Sequence, residues 1–366
     1  MKVLMTVDAI GGVWTYALEL MRSLARDGVT FEVATMGAAL SSEQRGQMRV
    51  LPNVELHEST FLLEWMTDPW EEVERAGEWL LDLEAKTNPD IVHLNGYAHG
   101  ALPWRARPLI VAHSCVISWW QAVKREPPPA RLHEYHARVR AGLNGAALVL
   151  APTRAMLAAI RRNYAPAGEL RIVPNARNSQ LFHVGTKEPI IASAGRIWDE
   201  AKNIQALARV APQLSWPVYI AGDGGNFEEH ASAGSGNLHV MGVLPECDVA
   251  AVLARASIYA LPARYEPFGL SVLEAGCSGC ALLLGDIESL RENWDGAARF
   301  VDPYDDDAIR RGLAELMGDE PRRLELSRRA AVRARRFSLP RMAAAYLNTY
   351  IELSLKLSVR GQTCAS

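Results

Sequence analysis

Two glutamates, Glu266 and Glu274, lie in the run Ala263-Arg-Tyr-Glu-Pro-Phe-Gly-Leu-Ser-Val-Leu-Glu-Ala-Gly276. Ionised carboxylates only accept hydrogen bonds, so two of them facing one ligand imply a molecule rich in hydroxyls. Ahead of them, Ala256-Ser-Ile-Tyr-Ala-Leu-Pro262 reads as a buried strand stopped by a proline, and from Leu270 onward the chain reads as a helix. The segment is therefore strand, loop and helix N-terminus. The first N–H groups of a helix have no intrahelical partner and its dipole is positive there, which suits phosphate or sugar oxygens. A capping glutamate followed by a solvated helix glutamate is the plainer reading of the same pair. The Pro-Phe-Gly turn between them favours the ligand.

Other residues are placed by the elements around them. Residues 2–7 predict a buried strand, Gly11-Gly12 opens a helix, and Phe31-Glu-Val-Ala-Thr predicts a second strand, so the chain begins β-α-β with parallel strands. Strands follow at 90–94, 108–113 and 147–151, with helices at 70–87 and 130–144. After 176–187 the alternation restarts, with strands near 190–194, 217–222, 238–241, 257–261 and 281–284. Two such halves predict two doubly wound α/β domains, with ligands at the carboxyl ends of the strands. Gly195 and Arg196 end the first strand of the second half, and Lys202 follows near the next helix. Cations there would attract anionic groups of a ligand. Gly11 and Gly12 permit close backbone approach. His113, His93 and Asn95 sit at strand ends of the first half, where either a site or plain packing fits them.

The Glu-Pro-Phe-Gly-Leu element with its spacing to Glu274 resembles the donor-binding signature of retaining, family-4-type glycosyltransferases of GT-B architecture. That resemblance implies two Rossmann-like domains facing a cleft: acceptor-binding over 1–180, nucleotide-sugar-binding over 181–340, and a last helix in 341–366 crossing back to the first. It implies transfer of a sugar from a nucleotide-diphosphate donor to a hydroxyl of a glycan, lipid-linked or small-molecule acceptor. Retention would come from same-face attack. By resemblance Glu266 binds sugar hydroxyls, Glu274 the ribose, and Arg196 with Lys202 the leaving diphosphate. The resemblance implies a step of five residues between those cations where this chain has six, an expected one-residue bulge through Trp198-Asp199-Glu200. The amides around Phe268, Gly269 and Leu270 approach sugar and diphosphate, Gly11, Gly12 and Gly195 lie beside the donor, and His113 lines the sugar pocket. The Ala221–Gly225 turn lies beneath the donor, and Val243 with Leu244 meets the base through backbone groups, which leaves the base open. His93, Asn95, Trp119 and Trp120 are acceptor-side candidates. No cofactor or metal is expected.

Alternatives and exclusions complete the reading. A sugar phosphorylase of the same architecture would need a cofactor-lysine motif that is not found, and a non-catalytic nucleotide-sugar-binding module would bind without turnover. Cys277-Ser-Gly-Cys280 has redox spacing, but its place between helix and strand favours packing. Asp305-Asp-Asp307 imitates a metal motif, yet it opens a helix, where acids suit the dipole. Trp119-Trp120, with Lys124, Arg125 and Pro127-Pro-Pro129, predicts a flexible acceptor-side loop able to stack on sugars or touch lipid headgroups, burial between helices fitting equally. The 366 residues suggest two domains. A hydrophobic fraction of 49% and net charge of −3 describe a globular chain with no call for nucleic acid. Five scattered cysteines, and no run reaching the ~18 apolar residues of a membrane span, predict a cytoplasmic protein with at most peripheral contact at the inner membrane face.

Overall fold

The computed structural model describes residues 1–105, 108–224 and 236–363, the side chains of 356–363 excepted. Gly225 and Cys364 lie outside the described residues. The chain forms two compact units. One comprises Met1–Trp120, Glu126–Asn175 and Leu339–Ser366; the other comprises Gln121–Arg125 and Ala176–Ser338.

The first unit is built on seven parallel strands: β1 (Lys2–Asp8), β2 (Thr30–Met36), β3 (Val54–Glu58), β4 (Ile91–Leu94), β5 (Leu109–Val111), β6 (Leu148–Ala151) and β7 (Glu169–Ile172). They lie in the order β3-β2-β1-β4-β5-β6-β7. The order reverses between β1 and β4, and the ends of two strands that part there leave an opening where doubly wound sheets bind ligands. Buried runs such as Val3–Val7 and Leu148–Ala151 follow from helices covering both faces of a parallel sheet. The helix Leu339–Thr363 belongs to this unit. Its Tyr346 and Tyr350, both 0% exposed, pack with Tyr16 of the helix Gly12–Leu24 and with His93 of β4.

The second unit carries β8 (Glu188–Ala194), β9 (Val218–Ala221), β10 (Leu238–Val240), β11 (Ala256–Leu261), β12 (Ala281–Gly285) and β13 (Ala298–Val301). They run parallel in the order β10-β9-β8-β11-β12-β13, so the reversal falls between β8 and β11. β11 and β12 are buried along their whole length. The helices Leu270–Cys277, Glu288–Trp294 and Glu320–Ala334 pack around them, with Trp294 wedged against Gly276 and Phe337. Among the described residues, no helix is long and apolar enough to cross a membrane.

Expectation and structure part at the edge strand Val54–Glu58, which the sequence reading lacks, and around Trp119 and Trp120. There the segment read as an acceptor-side loop, with burial between helices as the alternative, is the helix Val116–Val123. Burial of Ile117, Ser118 and Val123 holds it, and the guanidinium of Arg131 lies 4.8 Å from the Trp120 ring. Both tryptophans are half-buried.

Candidate functional site

In the second unit the carboxyl ends of β8 and β11 flank the reversal point, and the predicted residues gather there. β8 runs into Gly195-Arg196, and β11 runs through Pro262 into Glu266. The extra residue between Arg196 and Lys202 is absorbed by consecutive turns, with Asp199 N–H donating to Arg196 O at 3.2 Å and Lys202 N–H to Asp199 O at 2.9 Å. Asn203, in left-handed backbone at φ 56°, then donates to Pro262 O at 3.0 Å and Pro303 O at 2.7 Å. Arg264 N–H donates to Ala201 O at 2.8 Å. Together these bonds bind the 196–203 loop to the 262–266 loop. From the other side, Ser289 Oγ donates to Glu266 O at 2.5 Å and Asn293 Nδ2 to Phe268 O at 3.2 Å.

That double clamp presents Glu266, only 7% exposed. Its Oε1 accepts the N–H groups of Gly269 at 2.9 Å and Phe268 at 3.3 Å. Its Oε2 pairs with the Lys202 ammonium, whose methylenes lie within 4 Å of where a Gly195 side chain would stand. A carboxylate has about four lone-pair sites, so Oε2 keeps one for a ligand hydroxyl. The capping reading and the ligand reading of Glu266 therefore coexist. The cost falls on the expectation for the loop: the Phe268 and Gly269 amides are engaged by Glu266 rather than turned outward. Gly269 takes φ 88° as the cap of the helix that Leu270 begins, a conformation glycine adopts without strain.

Arg196 is placed differently. Its guanidinium pairs with Asp199 at 2.7 Å, lies 5.4 Å from the Trp198 ring, and its side chain is 41% exposed. It stands at the rim, while Lys202 stands inside. Beneath them three loops touch backbone to backbone, with Gly195 N–H on Ala221 O at 3.0 Å and Gly222 N–H on Gly242 O at 2.8 Å. A Cβ on Gly222 would lie 1.8 Å from Gly195 O, so only glycine fits. Val243 is 76% exposed at the edge of this floor, with Leu244 half-buried beside it.

Glu274 sits on the helix Leu270–Cys277 and is paired with Arg177 at 2.7 Å. Arg177 is itself 4% exposed and also meets Glu246. Sequence reasoning missed this arginine, because nothing local marks a residue whose partners are far along the chain.

The first unit gathers a second group at its own reversal point. Gly11, at φ 85°, caps the helix Gly12–Leu24, and both glycines are exposed beside the end of β1. Asn95 follows β4 and donates its amide to Thr6 O at 2.7 Å, which obliges its Oδ1 to accept from His113 Nε2 at 2.8 Å. The tautomer is thereby assigned: Nε2 carries the proton and Nδ1 is an acceptor. Burial pushes the His113 imidazole down to about 3, so it stays neutral. His93 differs in kind. It is 0% exposed, with Nδ1 on Tyr350 OH at 2.7 Å and Nε2 on Tyr16 OH at 3.4 Å, so it anchors the helix Leu339–Thr363.

Two acids here were not singled out from sequence. Burial and then the Glu64 charge push Asp8 up to about 7, and burial does the same to Glu64, which accepts from Ala98 N–H at 2.7 Å. Asp8 ends β1, and the strand-end rule that picked Asn95 applies equally to it.

The remaining motifs are engaged internally. Asp305 caps the helix Asp306–Gly318 through Ala308 N–H at 3.0 Å, and Asp306 and Asp307 pair with Arg209 and Arg310. Among the described residues, no group of three or more His, Cys, Asp or Glu side chains could hold a metal ion. Cys280 is buried against carbonyls of Leu253 and Ala256, and burial pushes both thiols of the Cys277–Cys280 pair up to about 11, far from a reactive thiolate.

Known proteins match both halves. Residues 11–176 match the model of the glycosyl transferase 4-like domain, and residues 177–333 that of glycosyl transferases group 1. The chain is 24% identical to O-antigen chain mannosyltransferase B of Escherichia coli over 206 residues, 51% of each protein. It is 27% identical to the phosphatidyl-myo-inositol mannosyltransferase of Mycolicibacterium smegmatis over 180 residues, 46% of this chain and 47% of that one. The match thus spans about half the length of these curated relatives. Sucrose-phosphate synthase from Thermosynechococcus elongatus superposes with a TM-score of 0.78 at 18% identity, covering 96% of this chain and 99% of that one. Its fold is the GT-B architecture, two doubly wound units. With one family model over each half, the chain belongs to the group 1 glycosyl transferases, preceded by a glycosyl transferase 4-like domain.

Proposed function

We propose that the protein transfers a sugar from a nucleotide-diphosphate donor to an acceptor hydroxyl with retention of anomeric configuration. The single observation that carries this is the clamped Glu266–Lys202 pair at the reversal point of the second unit, with Arg196 at its rim. Glu266 offers its remaining lone pair to a sugar hydroxyl, and Glu274 holds the ribose. Lys202 and Arg196 take up the charge that grows on the departing diphosphate. The acceptor hydroxyl attacks the anomeric carbon on the face the diphosphate leaves, and its proton passes to a diphosphate oxygen. Glu266 is engaged by two amides and an ammonium, which supports a hydrogen-bonding role over that of a covalent nucleophile. No metal takes part in this scheme.

Unit 1 would serve the acceptor. His113 Nδ1, the exposed Gly11-Gly12 turn and the Asp8 carboxyl offer an acceptor, a close backbone approach and a further polar group to a polyhydroxylated molecule. The relatives named for O-antigen chains and for phosphatidyl-myo-inositol support a glycan or lipid-linked acceptor, met by a cytoplasmic protein in peripheral contact with the membrane. The test is a thermal-shift panel of UDP-, GDP- and ADP-sugars, followed by turnover with the stabilising donor. Stabilisation grows with ligand concentration over the dissociation constant, so the right donor stands out. Binding without transfer or donor hydrolysis would leave a nucleotide-sugar-binding module, and no stabilisation by any donor would remove the assignment.

A further inference from the structure

The nucleoside end of the donor site is organised around a residue that makes no claim on the ligand itself. Arg177 is 4% exposed, yet its guanidinium is shared by two carboxylates from separate helices. Nε lies 2.7 Å from Glu274 Oε1, and Nη2 meets Glu246 at the start of the helix Glu246–Arg255. One face of the group lies 5.1 Å from the Phe182 ring. The backbone of Arg177 is held by a bridge to Ser338. A guanidinium gripped at its root and on its face sets a fixed positive charge beside the carboxylates it pairs with. Of its partners, Glu274 is the enclosed one, with a side chain 12% exposed against 45% for Glu246. A carboxylate that enclosed needs a cation to stay ionised and in place. Glu246, by contrast, follows directly on the Met241–Pro245 segment, the edge assigned to the base.

We propose that Arg177 is the positioning residue of the nucleoside subsite, aiming the Glu274 carboxylate at the ribose hydroxyls and tying the base-side edge to it. The inference rests on the donor reading above, since it presumes that Glu274 meets ribose. Without Arg177 the enclosed carboxylate takes a proton or turns toward solvent, and in either case it no longer accepts from ribose.

The experiment is a binding cycle on the full chain, using whichever of UDP, GDP or ADP stabilises the wild type most, and its 2′,3′-dideoxyribose counterpart. The wild type should prefer the ribonucleotide by about ten- to hundredfold, the worth of one hydrogen bond to a charged group. Glu274→Gln and Arg177→Gln should each erase most of that preference while leaving dideoxynucleotide affinity within about threefold, and the double variant should lose no more than either. Arg177→Lys restores charge without the fork, so it should recover only part. A simply structural arginine would lower both affinities together and leave the preference intact. Should Arg177→Gln fail to fold, Glu246→Gln, at an exposed carboxylate, loosens one arm of the fork and should halve the preference or more. Retained preference in Arg177→Gln or Glu246→Gln, with loss in Glu274→Gln, overturns the positioning role alone. Retained preference in Glu274→Gln overturns the ribose assignment, and the positioning role with it.

Discussion

Glu266→Gln and Lys202→Met, made singly and together, measure how far one ion pair holds the site in shape. The pair is sheltered, with side chains 9% and 17% exposed, so solvent screens it little. Glutamine keeps an oxygen for the Gly269 amide but sets a neutral amide against the Lys202 ammonium. Methionine fills the lysine channel beside Gly195 and leaves the Glu266 carboxylate with two amides only. Stranding one partner of a buried pair costs about 3–5 kcal/mol, and the residual exposure here argues for about 3 in each single variant. Independent effects would sum to about 6 kcal/mol in the double variant. Because the second change removes a partner already stranded, the double variant should cost about 3 instead, a coupling of about 3 kcal/mol. Calorimetry would read each single change as a fall of about 6–12 °C in the transition of the second unit. The same proteins should show weaker nucleotide-sugar binding, with the bare nucleotide largely spared in Glu266→Gln. Additive losses, with coupling below about 0.5 kcal/mol, would refute the argument that this pair sets the loop.

Arg196→Ala should lower turnover by about 10²–10³ with little change in donor affinity, because its charge partner grows only as the glycosidic bond breaks; equal losses in kcat/KM and donor binding would move the cation role elsewhere. EDTA should leave turnover largely intact, and abolition reversed by magnesium or manganese would defeat the metal-free scheme. Gly222→Ala should destroy the floor of the site, since its methyl group would meet Gly195 O at 1.8 Å; a variant with native stability and donor binding would contradict that geometry. Two opposed pairs of buried groups act on the pH profile of the first unit. Asp8 and Glu64, raised to about 7, keep protons that the unfolded chain loses above pH ~4, so they lower stability as pH rises to 7. His93 and His113, lowered to about 3, refuse protons that the unfolded chain takes below pH ~6.5, so they raise stability as pH rises from 3. These pairs offset one another between pH ~4 and ~6.5, and Asp8→Asn should make the slope of stability against pH more positive by about 1.4 kcal/mol per pH unit in urea titrations there; an unchanged slope would count against the Asp8 assignment.

How much could be read in advance depended on how local the cause was. The strand-loop-helix around Glu266 was legible because Ala256–Leu261 is apolar but for Ser257 and the Tyr259 hydroxyl, and is punctuated by Pro262 and Gly269. The edge strand Val54–Glu58 escaped, since its sequence VELHE is half polar and pairs on one side only. Val116–Val123 escaped because its tryptophans and the prolines after it resemble a loop, while the burial of Ile117, Ser118 and Val123 that holds the helix comes from residues far along the chain. His93 was chosen for its strand end, but the partner that decides its role, Tyr350, lies 257 residues away. Asp8 was legible by the same rule and was passed over. Arg177 was not, because its meaning lies in Glu246 and Glu274, which the fold brings to it.

The bond between His93 and Tyr350 also bears on how the chain comes into being. During synthesis the second unit is an uninterrupted stretch from Ala176 to Ser338, aside from Gln121–Arg125, and emerges ahead of the helix that begins at Leu339. The first unit cannot close its core until residue 350 has left the ribosome, so Tyr16 and His93 wait uncovered while roughly ten to fifty seconds of elongation pass at ~5–20 residues per second. The earlier-made half is thus the later-finished one. A released chain truncated after Ser338 should accordingly present a protease-resistant second unit and a first unit still open to cleavage around β4.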